Sequence, residues 1–187
     1  MKDDSVTLGK MIKKVLGSYL AVDFMLLFIN LPFTALVTST SADGSVTVPR
    51  TIPCVILGVF TLLIYLALMI GYMGPVGDKI RSPFNETPVD KLLALKASAI
   101  VFALPFLFSA FTALTGAGVF LNTNFYEAMR FPHNVLYGPV FGFLLAFYQK
   151  SWLTPFFPPL IMICVVELSY WIILKGFKLP SIFYRQK

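Results

Sequence analysis

TIPCVILGVFTLLIYLALMIGYMG, residues 51–74, contains no charged side chain. A helix rises about 1.5 Å per residue, so about 20 apolar residues cross a hydrocarbon core about 30 Å thick. This stretch is long enough to do so. Three more runs share its character, at 15–37, 92–120 and 155–174, and lysine or arginine flanks them on alternate sides. The expected fold is an all-α integral membrane protein, one polytopic domain over residues 1–187. It would have four transmembrane helices and a short interfacial or re-entrant helix at 135–149, before the last span.

Composition agrees. The chain is 57% apolar and 13% charged, with a mean hydropathy of +0.79. A soluble domain carries about 25% charged residues. The net charge is +6, which in a soluble protein would raise nucleic-acid binding. Here the basic residues gather at helix ends, where phosphate headgroups lie, so no nucleic-acid partner is expected. The two cysteines, Cys54 and Cys164, fall at different depths and are expected to be free thiols buried as small apolar groups. Lys10, Lys13 and Lys14 ahead of an apolar run give the outline of a signal peptide. The run is too long for one and Asp23 interrupts it, so a retained first helix is expected.

Basic residues concentrate on the cytoplasmic side of membrane proteins. With the N-terminus inside, twelve lysines and arginines lie on inner segments, and only Arg50, Arg130 and Lys150 lie outside. Both termini are therefore expected in the cytoplasm, with the plasma membrane of a bacterium as the location. If 135–149 (VLYGPVFGFLLAFYQ) were a fifth span, this asymmetry would fall to nine against six. Gly138 and Pro139 break that segment. Tyr137, Tyr148 and Trp152 suit a headgroup boundary, which favours an interfacial or dipping helix.

Shorter signals fill in the outline. Residues 38–50 read as an outer turn. GYMGPVG, residues 71–77, is expected to end the second helix. Leu8, Met11, Ile12 and Val15 share one helical face and suggest an interfacial lead-in to the first span. Asn85-Glu86-Thr87 matches a glycosylation acceptor, but it faces the cytoplasm in this topology and precedes a proline. Ser109, Ala113 and Ala117 recur every four residues, a small-residue stripe suited to helix packing. Asn30 and Ser18 are expected to bond between helices.

Asp23 and Glu167 are the strongest chemical signal. Each sits about 12–14 Å along its helix from a flanking lysine, which places both carboxylates at one depth. An intramembrane acid needs a partner, a proton or water. Lys96, five residues into the third run, is the candidate partner. A pair of Lys96 with Asp23 or Glu167 would form a clasp between helices; alternatively these residues form a proton or cation site or a contact for a cationic residue of a partner, and a further option is one acid facing a water-filled edge. His133 stands alone and makes a poor metal site. No catalytic or phosphate-binding motif is present, so no catalytic residue, cofactor or metal is expected.

Two functions follow. The first is a non-catalytic accessory or scaffold subunit of a membrane protein complex, with lipid and other membrane subunits, or copies of itself, as partners. The alternative is a small oligomeric transporter or ion- or proton-conducting protein that uses the intramembrane carboxylates.

Overall fold

A computed structural model describes residues 6–40, 47–49, 51–82, 89–118, 123–147 and 151–176. Four helices are long and apolar enough to cross a membrane, as a multi-pass membrane protein requires. They are α1 (Leu8–Val37), α2 (Thr51–Ile80), α3 (Leu93–Gly116) and α6 (Phe157–Leu174). Between the last two lie α4 (Thr123–Leu136), a 3-10 turn (Gly138–Val140) and α5 (Phe141–Phe147). A short antiparallel pair, β1 (Thr38–Thr40) with β2 (Thr47–Pro49), closes the turn after α1. The Asn85 acceptor motif lies outside the described residues.

The four long helices form a ring in which α1 touches α2 and α3, and α6 touches the same two. Their outward faces are apolar: Leu20, Phe24, Phe28 and Leu31 on α1, Ile56, Phe60 and Leu63 on α2, Leu104 and Leu107 on α3. Their polar side chains turn inward, with Ser18, Asp23, Asn30, Thr61, Ser109, Thr112 and Ser169 all buried. That inversion fits a hydrocarbon surrounding, in which apolar side chains cost nothing to expose and polar ones need protein partners. One end of the ring gathers Lys10, Lys13, Lys14, Lys79, Arg81, Lys91 and Lys96; call it the lysine end.

Helix boundaries depart from the sequence reading where packing overrides local signals. α2 does not stop within residues 71–77 but runs through Pro75 to Ile80. The reason is tertiary: Gly77 lies so close to α6 that a Cβ there would run into Ile173. The expected lead-in is continuous with the first long helix. Leu8 to Val15 are the first two turns of α1, and Met11 and Val15 are fully buried in the core. α3 ends at Gly116 rather than near 120, followed by Gly118 in the left-handed region at φ +75°. Such a glycine ends a helix without the steric penalty a Cβ would bring. Both cysteines are free, as expected, but only Cys54 is buried; Cys164 is exposed on α6.

The segment expected as one short helix is the second arm of a helical hairpin. α4 packs on α3, α5 packs on α2, and the connecting 3-10 turn meets both α1 and α2. The small stripe of α3 receives α4, with Ser109 and Ala113 fully buried. α5 meets α2 through a glycine pair. A Cβ on Gly58 would come within 2.9 Å of the Phe143 backbone, and one on Gly142 would collide with the backbone of Gly58 and Cys54. Two side-chain-free positions let these helices approach closely.

Candidate functional site

The tip of the α4–α5 hairpin is the most polar place in the core. A helix ending and another beginning within a few residues leave backbone groups with no partner in either helix. Buried away from water, each such group needs a bond from elsewhere. The long helices supply them. The Gly138 N–H donates to Oδ1 of Asp23 at 2.8 Å. Nδ2 of Asn30 donates to the Gly138 carbonyl at 2.8 Å. The Thr61 hydroxyl lies 2.9 Å from the Pro139 carbonyl, which it shares with carbonyls of its own helix. The Tyr19 hydroxyl donates to the Leu136 carbonyl.

Asp23 and Asn30 lie seven residues apart, two turns along α1, so they fall on one face of that helix. Between them they take both polar groups of one residue, Gly138. Its lack of a side chain is what allows this, because a Cβ there would sit 3.0 Å from Oδ1 of Asp23 and 3.2 Å from the Asp23 carbonyl. A fourth element joins through α3: the Ser109 hydroxyl lies 2.8 Å from the Tyr137 hydroxyl and 3.1 Å from Nε2 of His133. The His133 ring also faces the backbone of Pro155. Tyr137 was expected at a headgroup boundary; it is instead fully buried, its hydroxyl bonded inside the bundle.

Three tyrosines surround Asp23. Tyr19, Tyr65 and Tyr137 all lie within electrostatic range of its carboxylate. The Tyr65 hydroxyl is completely buried and finds no hydrogen-bond partner among the described residues. Beside the tip, an open apolar cleft of about 340 Å³ lies between α5 and the start of α6, with Phe143, Phe147 and Phe157 in its wall.

The trio singled out in the sequence is not brought together. Asp23 binds the hairpin. Lys96 pairs with Asp90 at 2.8 Å, near the start of its own helix. Asp90 also accepts from the Leu92 N–H at 2.9 Å, a bond two residues along in the turn ahead of α3, and it draws Lys96 to that end. Glu167 accepts from Nε1 of Trp171 at 2.8 Å, one turn along α6, and its second oxygen has no partner among the described residues. The clasp between Lys96 and either carboxylate is therefore absent. Lys96 and one oxygen of Glu167 each find a local partner, one loop or one turn away, instead of one on a distant helix. Ser18 likewise bonds within α1, to the Val15 carbonyl at 3.0 Å, whereas Asn30 does bond between elements, as expected.

Among the described residues no group of three or more histidines, cysteines or acids is placed to hold a metal ion. What the sequence reading missed was the set Thr61, Ser109, His133 and Tyr137. Their common signal was polarity opposite a Gly-Pro break, which marks a turn whose backbone needs partners. No protein-family model, characterised protein sequence or solved structure matches the chain.

Proposed function

We propose that this chain is a non-catalytic, membrane-embedded subunit that scaffolds a larger membrane assembly, and that its α4–α5 hairpin is a re-entrant element dipping into the bilayer from the outer face. One observation carries the reading: the acid in the bundle core, Asp23, is a structural acceptor. It holds the Gly138 N–H while Asn30, Thr61 and Tyr19 hold the adjoining carbonyls. Four side chains fastened to one turn make a fixed plug, which suits a rigid framework better than a path along which ions move. The aromatic outer faces of α1 and α2 offer area for neighbouring helices. The excess of basic residues at the lysine end supports a cytoplasmic location for both termini in a bacterial plasma membrane.

A second reading, a proton- or cation-conducting protein, draws support from Tyr65. Its buried hydroxyl lies near Asp23 with no partner among the described residues. Purification in mild detergent tests the first reading, which expects a stoichiometric membrane-protein partner. Reconstitution into liposomes tests the second. Proton or cation flux by the chain alone, abolished in both Asp23→Asn and Tyr65→Phe, would overturn the scaffold reading.

A further inference from the structure

Glu167 departs from the inward pattern of the other polar side chains. Asp23, Asn30, Thr61, Ser109 and Ser169 are buried, whereas Glu167 is only half-buried. It lies eight residues before Lys175, about 12 Å into the apolar run of α6. The residues one turn to either side of it, Cys164 and Trp171, are exposed, so its carboxyl flanks the face that α6 turns away from the bundle. One oxygen, Oε1, accepts from Nε1 of Trp171 at 2.8 Å. The other, Oε2, has no hydrogen-bond partner among the described residues.

The same face carries a regular pattern. Phe157, Cys164 and Trp171 recur every seven residues and all are exposed. Leu160, Glu167 and Leu174 recur every seven residues, three positions later; Leu160 is exposed and the other two are half-buried. Alternating steps of three and four make the seam of a helix pair crossing at about 20°. An acid in hydrocarbon needs a hydrogen-bonding partner, and Trp171 serves only one of its oxygens. A carboxyl bearing its proton offers both a donor and an acceptor, so it is complementary to a copy of itself. Two copies in one membrane share an orientation. A two-fold axis along the membrane normal therefore sets their α6 helices parallel and brings identical residues to one depth. A helix from another subunit would need a suitable donor at that depth in its own sequence; a second copy has it by symmetry.

We propose that the outward face of α6 is the seam of a parallel homodimer, in which Glu167 and the partner's Glu167 are hydrogen-bonded across the two-fold axis. The pairing goes beyond the scaffold reading. It is tested on the purified chain alone, so either can fail while the other stands.

In a Cys54→Ser chain, Cys164 is the remaining thiol. Facing seam positions lie within reach of a disulfide, so oxidation with copper phenanthroline in lipid-rich liposomes of phosphatidylcholine should link the full chain as dimers through Cys164. Phe24→Cys, exposed on α1 across the ring from α6, serves as control in a chain with both native cysteines replaced by serine, and should link only at the rate of random collision. Energy transfer between donor- and acceptor-labelled chains then measures association. Glu167→Leu should lower the association constant about tenfold. Glu167→Gln keeps a donor and an acceptor and should stay within about twofold of the wild type. Linking through Cys164 no faster than through position 24 overturns the proposal. So does wild-type association of Glu167→Leu, and so does a Glu167→Gln chain that associates as weakly as Glu167→Leu.

Discussion

Asparagine carries an amide oxygen where Oδ1 of Asp23 accepts the Gly138 N–H, so Asp23→Asn is expected to leave the melting temperature in detergent nearly unchanged. Asp23→Leu removes the acceptor and strands that buried N–H, at a cost of about 1–3 kcal/mol. Equal melting of the two variants would show that the bond contributes nothing. Lys96 and Asp90 form an exposed pair, and exposed pairs contribute little, so Lys96→Met should melt as the wild type does. Asp90 nevertheless responds to acid. The Lys96 ammonium, with the Leu92 N–H, holds its carboxyl below the usual carboxylate range. A depressed folded value stabilises the native state above the ordinary value near about 3.9. That contribution is lost as pH falls through the lower folded value. A melting series across acidic pH should show the decline, and Asp90→Asn should flatten its last part. At this scale the sequence disclosed which residues carried unusual chemistry but not whom they met. Asp23 was legible because an acid inside an apolar run is conspicuous. Its partner is a backbone N–H 115 residues away, and a backbone group leaves no trace in a side-chain pattern.

The element that most needs its neighbours is α5. Seven residues cannot hold a helix alone, since helix nucleation is costly. It persists because Gly142 lies against Gly58 and the tip is bonded by α1 and α2. Gly142→Leu should therefore disrupt the hairpin as overpacking does, at about 1–3 kcal/mol or more. A single cysteine in α5, buried in the wild-type background, should then become reactive to a membrane-permeant thiol reagent. Unchanged labelling would mean that the glycine contact does not seat the arm. The long helices were legible because length and hydropathy decide them, closely at ends such as Thr51 of α2, but α1 begins at Leu8, α2 ends at Ile80 and α3 ends at Gly116, against expected limits of 15, 74 and 120. α4 was not. Its sequence, TNFYEAMRFPHNVL, is polar and broken by Pro132, and it is helical because the small face of α3 receives it. The same tertiary override carries α2 past Pro75, where local reading of a glycine-proline run expected a stop.

Taken as one body, the chain has a lysine end and a hairpin end. The asymmetry of charge makes a prediction about both. Single cysteines at positions 10 and 175, in a chain with Cys54 and Cys164 replaced, should react with an impermeant reagent only after the cells are opened. One at position 152 should react in intact cells. Reaction of all three in intact cells would end the assigned orientation. The number of long apolar helices was readable from hydropathy, because length and apolar composition are properties of the sequence itself. Their ring order was not, because it depends on small residues and interior hydrogen bonds whose partners lie far apart in the chain. That order has a temporal side. Tyr19, Asp23, Asn30, Thr61 and Ser109, the residues that fasten the tip, all precede it in the chain. As the polypeptide leaves the ribosome, the receptacle for Gly138 is already synthesised when that glycine emerges. The hairpin can lock before the final span is made, so a nascent protein truncated ahead of α6 should already display a protected tip.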